Sequence, residues 1–203
     1  MARPSKVPSA QPSGGRNRRE DILAAALQLF AERGVSAVTT RQIAAQVGIS
    51  QPSLYAHFAT KQDLLDEVCA RAFQTLADRM RALGSEPPTP LLMRELARAY
   101  IRFGLENPDA YKIAFMSSGE AGSKTPDAQP HSAGLETFSL YRDQVVEVLK
   151  SRYSRPECEL KAQSGWAALH GLVSLWLTMP EFPWSDRNAL LETHLDLVCQ
   201  IFD

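Results

Sequence analysis

The sequence predicts an all-α protein: an N-terminal three-helix head carrying a helix-turn-helix, joined by a long helix to a C-terminal helical bundle. Three observations lead there. Apolar residues recur every three or four positions through most of the chain, and strand-length alternation is missing. N-cap residues, prolines and glycines punctuate the periodic stretches where helices should start and stop. Residues 39–61, TTRQIAAQVGISQPSLYAHFATK, read as two short helices joined by a tight turn.

Taken in order, residues 1–16 hold Pro, Ser, Gly and Arg without an apolar period, and a disordered tail is expected. Arg3, Lys6, Arg16, Arg18 and Arg19 make it basic ahead of the first acid, Glu20. Such an arm adds phosphate or minor-groove contacts where DNA is bound. Asn17 with Glu20 reads as a capping box opening a first helix, which stops near Arg33 at Gly34. In the next unit Ala44 is small where two helices would cross, and Gly48 suits a turn of positive φ. Leu54 is an apolar anchor on the second short helix, with Ile43, Val47, Ile49 and Phe58 completing a miniature core. Thr60 with Asp63 starts a long helix whose apolar stripe runs from Leu64 through Met80 to Leu83. Some 23 residues at helical rise span roughly 35 Å. The break GSEPPTP, 84–90, ends it. Body helices are expected near 90–106, 108–116, 133–152, 156–179 and 186–202. Thr89–Pro90, Asn107–Pro108 and the Ser154/Glu157 box mark three of the starts. The polar stretch 117–130 is expected to be a mobile loop. The chain divides into a tail 1–16, a head 17–65 and a body 66–203.

The outer face of the second short helix is polar. Ser50 is a plausible N-cap, and Pro52 falls in the first turn, where a missing N–H costs little. Gln51 and Ser53 suit base edges or phosphates; Tyr55, His57 and Lys61 suit phosphates. Charge supports this placement. Residues 1–65 carry eight Lys/Arg against four Asp/Glu, while the whole chain has 22 against 23. A basic head on an acidic body suits a protein that presents one end to a polyanion.

Other classes find little support. No apolar run is long enough to cross a membrane, and the polar N-terminus is unlike an export signal, so a cytoplasmic protein is expected. Cys69, Cys158 and Cys199 have no CxxC spacing and read as buried small hydrophobes. There is no phosphate loop, nucleophile elbow or HExxH. His57, His131, His170 and His194 form no metal-ligand cluster. Neither enzyme, metal nor cofactor is expected; a small all-α enzyme is the weak alternative.

Residues 19–65 resemble the DNA-binding domain of the TetR family of bacterial transcriptional regulators. The resemblance rests on Ile22, Ala25, Ala26, Leu29, Phe30 and Gly34, then Thr39, Ile43, Ala44, Gly48, Leu54, Tyr55, His57, Phe58, Lys61 and Leu64. The LYxHF segment followed by lysine is its most specific part, and the match covers about a quarter of the chain. It implies DNA contacts from Thr39, Ser50, Gln51, Ser53, Tyr55, His57 and Lys61; Thr40, Arg41 and Pro52, in the same stretch, complete the candidate DNA-binding residues. In the body, WAALHGL with Trp166, His170 and Gly171, and NPDAYKIAF from Asn107, resemble the tryptophan–histidine–glycine type of sensor in this family. Gly171 would be the small residue at a helix crossing. By the same resemblance 66–203 would sense a ligand and dimerise. A largely apolar pocket is expected, with Tyr100, Phe103, Tyr111, Phe115, Phe138, Trp166 and His170 as candidate lining residues.

The last two helices are apolar over long stretches, which points to a four-helix dimer interface that charge at Leu195 or Val198 should split. The resulting expectation is a homodimeric repressor on a palindromic double-stranded DNA operator, released by a small-molecule effector. The alternative is a regulator that answers a protein partner or no ligand.

Overall fold

Helix α1 (Gly15–Arg33) begins earlier than its expected cap, so Asn17 lies inside the helix rather than before it. The computed structural model describes residues 15–84, 88–116 and 132–202. The remainder of the basic tail and the 117–130 segment lie outside the described residues. Gly34, at φ 80°, ends α1 with its amide on the Phe30 carbonyl.

Helix α2 (Thr40–Val47) opens on a box missed in the sequence, in which Thr39 accepts from the Gln42 amide and Gln42 caps Thr39 in return. Gly48 closes it at φ 71°, turning the chain into α3 (Gln51–Tyr55). Ser50 is the N-cap of α3 and Pro52 lies in its first turn, where both were expected. Ile22, Ala26 and Phe30 of α1 pack with Ile43, Ala44, Leu54 and Phe58, all 3% exposed or less. Val47 and Ile49 are only partly buried against this core.

Helix α4 (Lys61–Ala82), capped by Thr60 and Asp63, leaves the head and becomes a wall of the body. There follow α5 (Pro90–Glu106), α6 (Pro108–Met116), α7 (Ser132–Leu149), α8 (Arg155–Thr178) and α9 (Arg187–Cys199), closed by a 3-10 turn over Gln200–Phe202. Two helices stop short of their expected ends: α7 turns at Lys150 rather than 152, and α9 tightens after Cys199. At α8 the Glu157 carboxylate accepts from the Ser154 amide at 2.8 Å and hydroxyl at 2.6 Å, and those bonds lower its pKa. No strand occurs among the described residues.

Helix α4 packs on α7, α6 and α5, α7 on α8, and α5 on α8 and α9. Helix α6 lies against both α1 and α4. One apolar core runs continuously from Ile22 in the head to Phe202 at the end of the body. Close helix approach is made by glycines other than the expected one. A Cβ on Gly104 would meet Val173 at 2.5 Å, and one on Gly165 would meet the Tyr141 hydroxyl at 2.6 Å. Gly171 has nothing within 4 Å of that position and sits on an open face of α8.

A second correction concerns α9. Leu195 is fully buried within the single chain and Val198 is 6% exposed, so both belong to the subunit's own core. Leucines stand on both sides of the helix among polar residues, and spacing alone left its inward stripe undecided. The open apolar residue is Leu197, at 58% exposure.

Candidate DNA-binding face and body cavity

The polar face of the head is organised by one buried hydroxyl. Thr40 is 8% exposed, and its Oγ1 lies 3.1 Å from the Tyr55 hydroxyl and accepts from the Gln51 amide at 3.1 Å. These bonds tie α2 to α3 and pull the Tyr55 phenol below its ordinary pKa, Thr40 being the larger cause. Gln51 is thus already engaged, 3.4 Å from the Tyr55 oxygen, rather than swinging free. Ser50 Oγ accepts from the Ser53 amide at 3.2 Å. Thr39, Arg41, Ser50, Pro52 and Tyr55 are exposed, while Gln51, Ser53, His57 and Lys61 are half-buried. Of the ten candidates only Thr40 is turned inward.

Lys61 does more than the sequence suggested. Its ammonium donates to the Val35 carbonyl at 2.6 Å and the Val38 carbonyl at 2.7 Å, the carbonyls of the turn between α1 and α2. An ammonium has three donors, so one remains for an outside acceptor. Arg19 is likewise spent on structure: it donates to Glu67 at 2.8 Å and lies 4.6 Å over the Phe58 ring. Arg71 of α4 pairs with Glu20 of α1 and with Glu67. These pairs are too exposed to add much stability, but they hold α1 in register with α4.

In the body, α4, α5, α6, α7 and α8 surround a narrow cavity of about 50 Å³. Four expected residues line it: Tyr100, Phe115, Phe138 and Trp166. Three others do not. Phe103, 1% exposed, is packed beside Tyr111 with the Arg79 guanidinium over its ring. Tyr111 and His170 stand behind the wall, their rings stacked 5.5 Å apart. The sequence reading missed Phe73, Leu76, Met80, Leu96, Gly134, Thr137, Tyr141 and Leu169. Their helical spacing is that of ordinary core residues, so nothing local separates lining from packing.

A chain of hydrogen bonds backs the cavity. Trp166 Nε1 donates to the Tyr100 hydroxyl at 3.3 Å, which lies 3.0 Å from the Tyr111 hydroxyl. The Tyr111 oxygen is 2.6 Å from His170 Nδ1, and His170 Nε2 is 3.2 Å from Ser174 Oγ. Burial pushes Tyr100 up to about 12 and Tyr111 upward as well, and it lowers His170. All three are therefore neutral near pH 7. Burial also pushes the Cys69 thiol up to about 12, which removes it as a reactive thiolate. Among the described residues no group of three or more His, Cys, Asp and Glu is placed to hold a metal ion. Among them, too, no helix is long and apolar enough to cross a membrane.

A helix-turn-helix head carried on a long helix above an all-α body defines a class of DNA-binding regulator, and the comparisons identify its family. Residues 22–68 match the bacterial regulatory proteins of the tetR family, and residues 93–198 match the tetracyclin repressor-like C-terminal domain. The chain belongs to the TetR family, whose members are DNA-binding transcriptional regulators and not enzymes. It is 40% identical over 75 residues to the HTH-type transcriptional repressor KstR2 of Mycobacterium tuberculosis, covering 37% of this chain and 38% of that one. It is 35% identical over 100 residues to the nucleoid occlusion factor SlmA of Escherichia coli, covering 48% and 50%. The chain thus spans half or less of the curated relatives it matches.

Solved structures share the whole architecture. A regulatory protein of the tetR family from Rhodococcus RHA1 superposes with a TM-score of 0.72 at 20% identity, covering 91% of this chain and 96% of that one. The ketosteroid transcriptional regulator KstR2 of Mycobacterium tuberculosis gives 0.62 at 23%, covering 90% and 93%. At these identities the likeness establishes the fold alone.

Proposed function

We propose that the protein is a homodimeric transcriptional repressor that grips a palindromic operator and is released by a small, largely apolar ligand. The observation that carries this reading is that two helices belong to both ends of the molecule. Helix α4 contributes Phe73, Leu76 and Met80 to the cavity and holds α1 through Glu67 and Arg71. Helix α6 contributes Phe115 to the cavity and packs on α1. A ligand that displaces Phe115 or Phe73 changes the seat of the head. Release needs only that the ligand bind the displaced state more tightly than the operator-competent one.

The head supplies the operator contacts. Tyr55, His57, Thr39, Arg41 and the remaining donor of Lys61 meet phosphates, while Gln51 and Ser53 meet base edges. Thr40 acts from behind, by holding Tyr55 and Gln51. Dimerisation falls to the open faces of α8 and α9. Leu160, Ala167, Gly171 and Leu175 line up at helical spacing on α8, Leu160 being 66% and Leu175 44% exposed. With Leu197 of α9 they form a surface that a second copy covers as a four-helix contact.

Selection of bound sequences from random duplex DNA tests the reading. It should recover a palindrome whose half-site centres lie one helical turn, about 34–36 Å, or a multiple of it apart. A ligand that raises the melting temperature should lower affinity for that palindrome, and Trp166→Ala should abolish both effects. A recovered sequence without two-fold symmetry would overturn the dimer on a palindrome. Stabilising ligands that leave operator affinity unchanged would overturn ligand release. The second reading, a regulator answering a protein partner, is favoured only by the similarity to the nucleoid occlusion factor.

A further inference from the structure

We propose that the body cavity takes an uncharged, mostly hydrocarbon molecule bearing one hydroxyl, and that this hydroxyl seats between the Trp166 indole and the Tyr100 phenol. The proposal rests on the ligand-release reading above and names the chemistry of that ligand.

Charge is excluded first. Among the described residues, no Asp, Glu, Lys, Arg or His lines the cavity. A carboxylate or ammonium entering it would lose its hydration and meet no counter-ion, which is prohibitive beside an uncharged competitor. His170, behind the wall, is held neutral by burial and offers no standing charge.

The polar anchor follows by elimination among four side chains. Thr137 Oγ1 has one proton, shared between the Ala133 carbonyl at 2.7 Å and the Phe73 carbonyl at 3.3 Å, so it has no donor to offer. The Tyr141 hydroxyl has no hydrogen-bond partner among the described residues, but it is wedged against the backbone of Gly165, where even a methyl carbon would sit 2.6 Å away. That side leaves no gap for a ligand atom. Trp166 and Tyr100 remain. Their mutual bond is long, at 3.3 Å, and Trp166 is 37% exposed, so this corner is where the polar chain meets the outside.

Proton bookkeeping then selects a hydroxyl. With His170 protonated on Nε2 the bonds can all run one way, the Tyr100 hydroxyl lying also 3.3 Å from His170 Nδ1. Trp166 donates to Tyr100, Tyr100 to Tyr111, Tyr111 to His170 Nδ1, and His170 Nε2 to Ser174. A hydroxyl inserted at the corner accepts from the indole N–H and donates to the Tyr100 oxygen, so the direction is kept. A ketone or ether accepts but has nothing to donate, and the Tyr100 oxygen loses its donor. The cavity, about 50 Å³ as it stands, is smaller than such a molecule. Its entry must therefore push apart the Phe73–Phe115 edge contact, whose ring centroids are 4.9 Å apart, and Phe115 lies on the helix that seats α1.

The test is calorimetric titration of the full chain with 1-octanol, 1-chlorooctane, octanoate and octylamine, which share one narrow apolar tail. Octanol should bind about tenfold tighter than chlorooctane, the value of one well-made hydrogen bond, with the two ions weakest. Tyr100→Phe should erase octanol's lead while leaving chlorooctane unchanged, and Trp166→Phe should reduce it. Leu169→Phe, which fills the cavity, should weaken every probe that binds there. Tightest binding by octanoate or octylamine overturns the uncharged ligand and leaves the cavity reading standing. Equal binding of octanol and chlorooctane overturns the hydroxyl anchor alone, as does loss of the preference in Tyr141→Phe with its retention in Tyr100→Phe. Binding by none of the four, or binding indifferent to Leu169→Phe, overturns this proposal together with the ligand reading beneath it.

Discussion

The head and the body bury apolar side chains equally well but treat their polar groups in opposite ways. In the head, the hydroxyls and amide of Thr40, Tyr55 and Gln51 close on one another at the surface, and every large core residue is carbon. In the body, five polar side chains from Trp166 to Ser174 run inward behind a cavity. A surface cluster presents a rigid, pre-set face, which suits an unvarying partner such as a phosphate backbone. A buried chain beside a void is adjustable: an inserted group can enter it and shift the packing. In the proposed function, the contrast gives recognition to the head and response to the body. Two shared helices, α4 and α6, are elements on which the two can trade displacement, because both touch α1 and both line the cavity.

The largest expected effect separates the inner and outer stripes of α9. Leu195→Glu puts an unpaired charge into a fully buried position, and a loss of about 5 kcal/mol, enough to unfold the chain, is expected. Circular dichroism during thermal melting checks it; a folded monomer would restore Leu195 to an interface. Leu197→Glu, two residues on and 58% exposed, should instead leave folding intact. Light scattering should then report monomers, with operator affinity lower by roughly a hundredfold once one half-site must bind alone.

Smaller effects probe the head. Lys61→Met keeps the apolar stem but removes both bonds to the turn carbonyls of Val35 and Val38. A loss of about 1–2 kcal/mol is expected in thermal unfolding. Operator affinity should fall with it on all sequences, and a purely phosphate-contacting lysine would flatten the salt slope without lowering stability. Tyr55→Phe leaves Thr40 with Gln51 alone and should weaken operator binding by between about twofold and tenfold, since one neutral hydrogen bond is at stake. Fluorescence anisotropy on a labelled operator measures it, and wild-type affinity would show that the phenol is idle.

The smallest effect belongs to the clamp between α5 and α9, where Arg94 and Arg98 grip Glu192. The two guanidiniums, Arg98 first, hold its carboxyl at about 2, against an ordinary value near 4.5. A depressed carboxylate stabilises the fold above its unfolded pKa and loses that contribution as pH falls from about 4.5 towards 2. Glu192→Gln should flatten the acid limb of melting temperature against pH and leave the neutral plateau nearly unchanged, because the pair is exposed. An unaltered acid limb would place the acid sensitivity elsewhere.

By itself the sequence determined most of what depends on neighbours three or four residues apart, the missed Thr39/Gln42 box and the failed Asn17/Glu20 box being exceptions. Caps such as Ser50, Thr60 and Thr89, the stop at Gly34, the turn at Gly48 and the anchor Leu54 act within one helical turn, so their chemistry is complete in a short window. The proposed DNA-facing residues could be nominated for the same reason, since they share one contiguous stretch from Thr39 to Lys61. Tertiary structure decided what depends on which stripe of a helix faces in. Leu195 and Leu197 are alike in chemistry and differ by about 200° around α9, and their spacing carries no sign of which one a neighbour will cover. Gly165 and Gly171 are likewise indistinguishable until α7 arrives beside one of them. Lys61 reads as a surface cation because the carbonyls it caps lie 23 and 26 residues away. The cavity draws Phe73, Tyr100, Thr137 and Leu169 from four helices spread over nearly a hundred positions. No local pattern distinguishes a residue that fills space from one that borders it, because that difference is made by the side chains opposite.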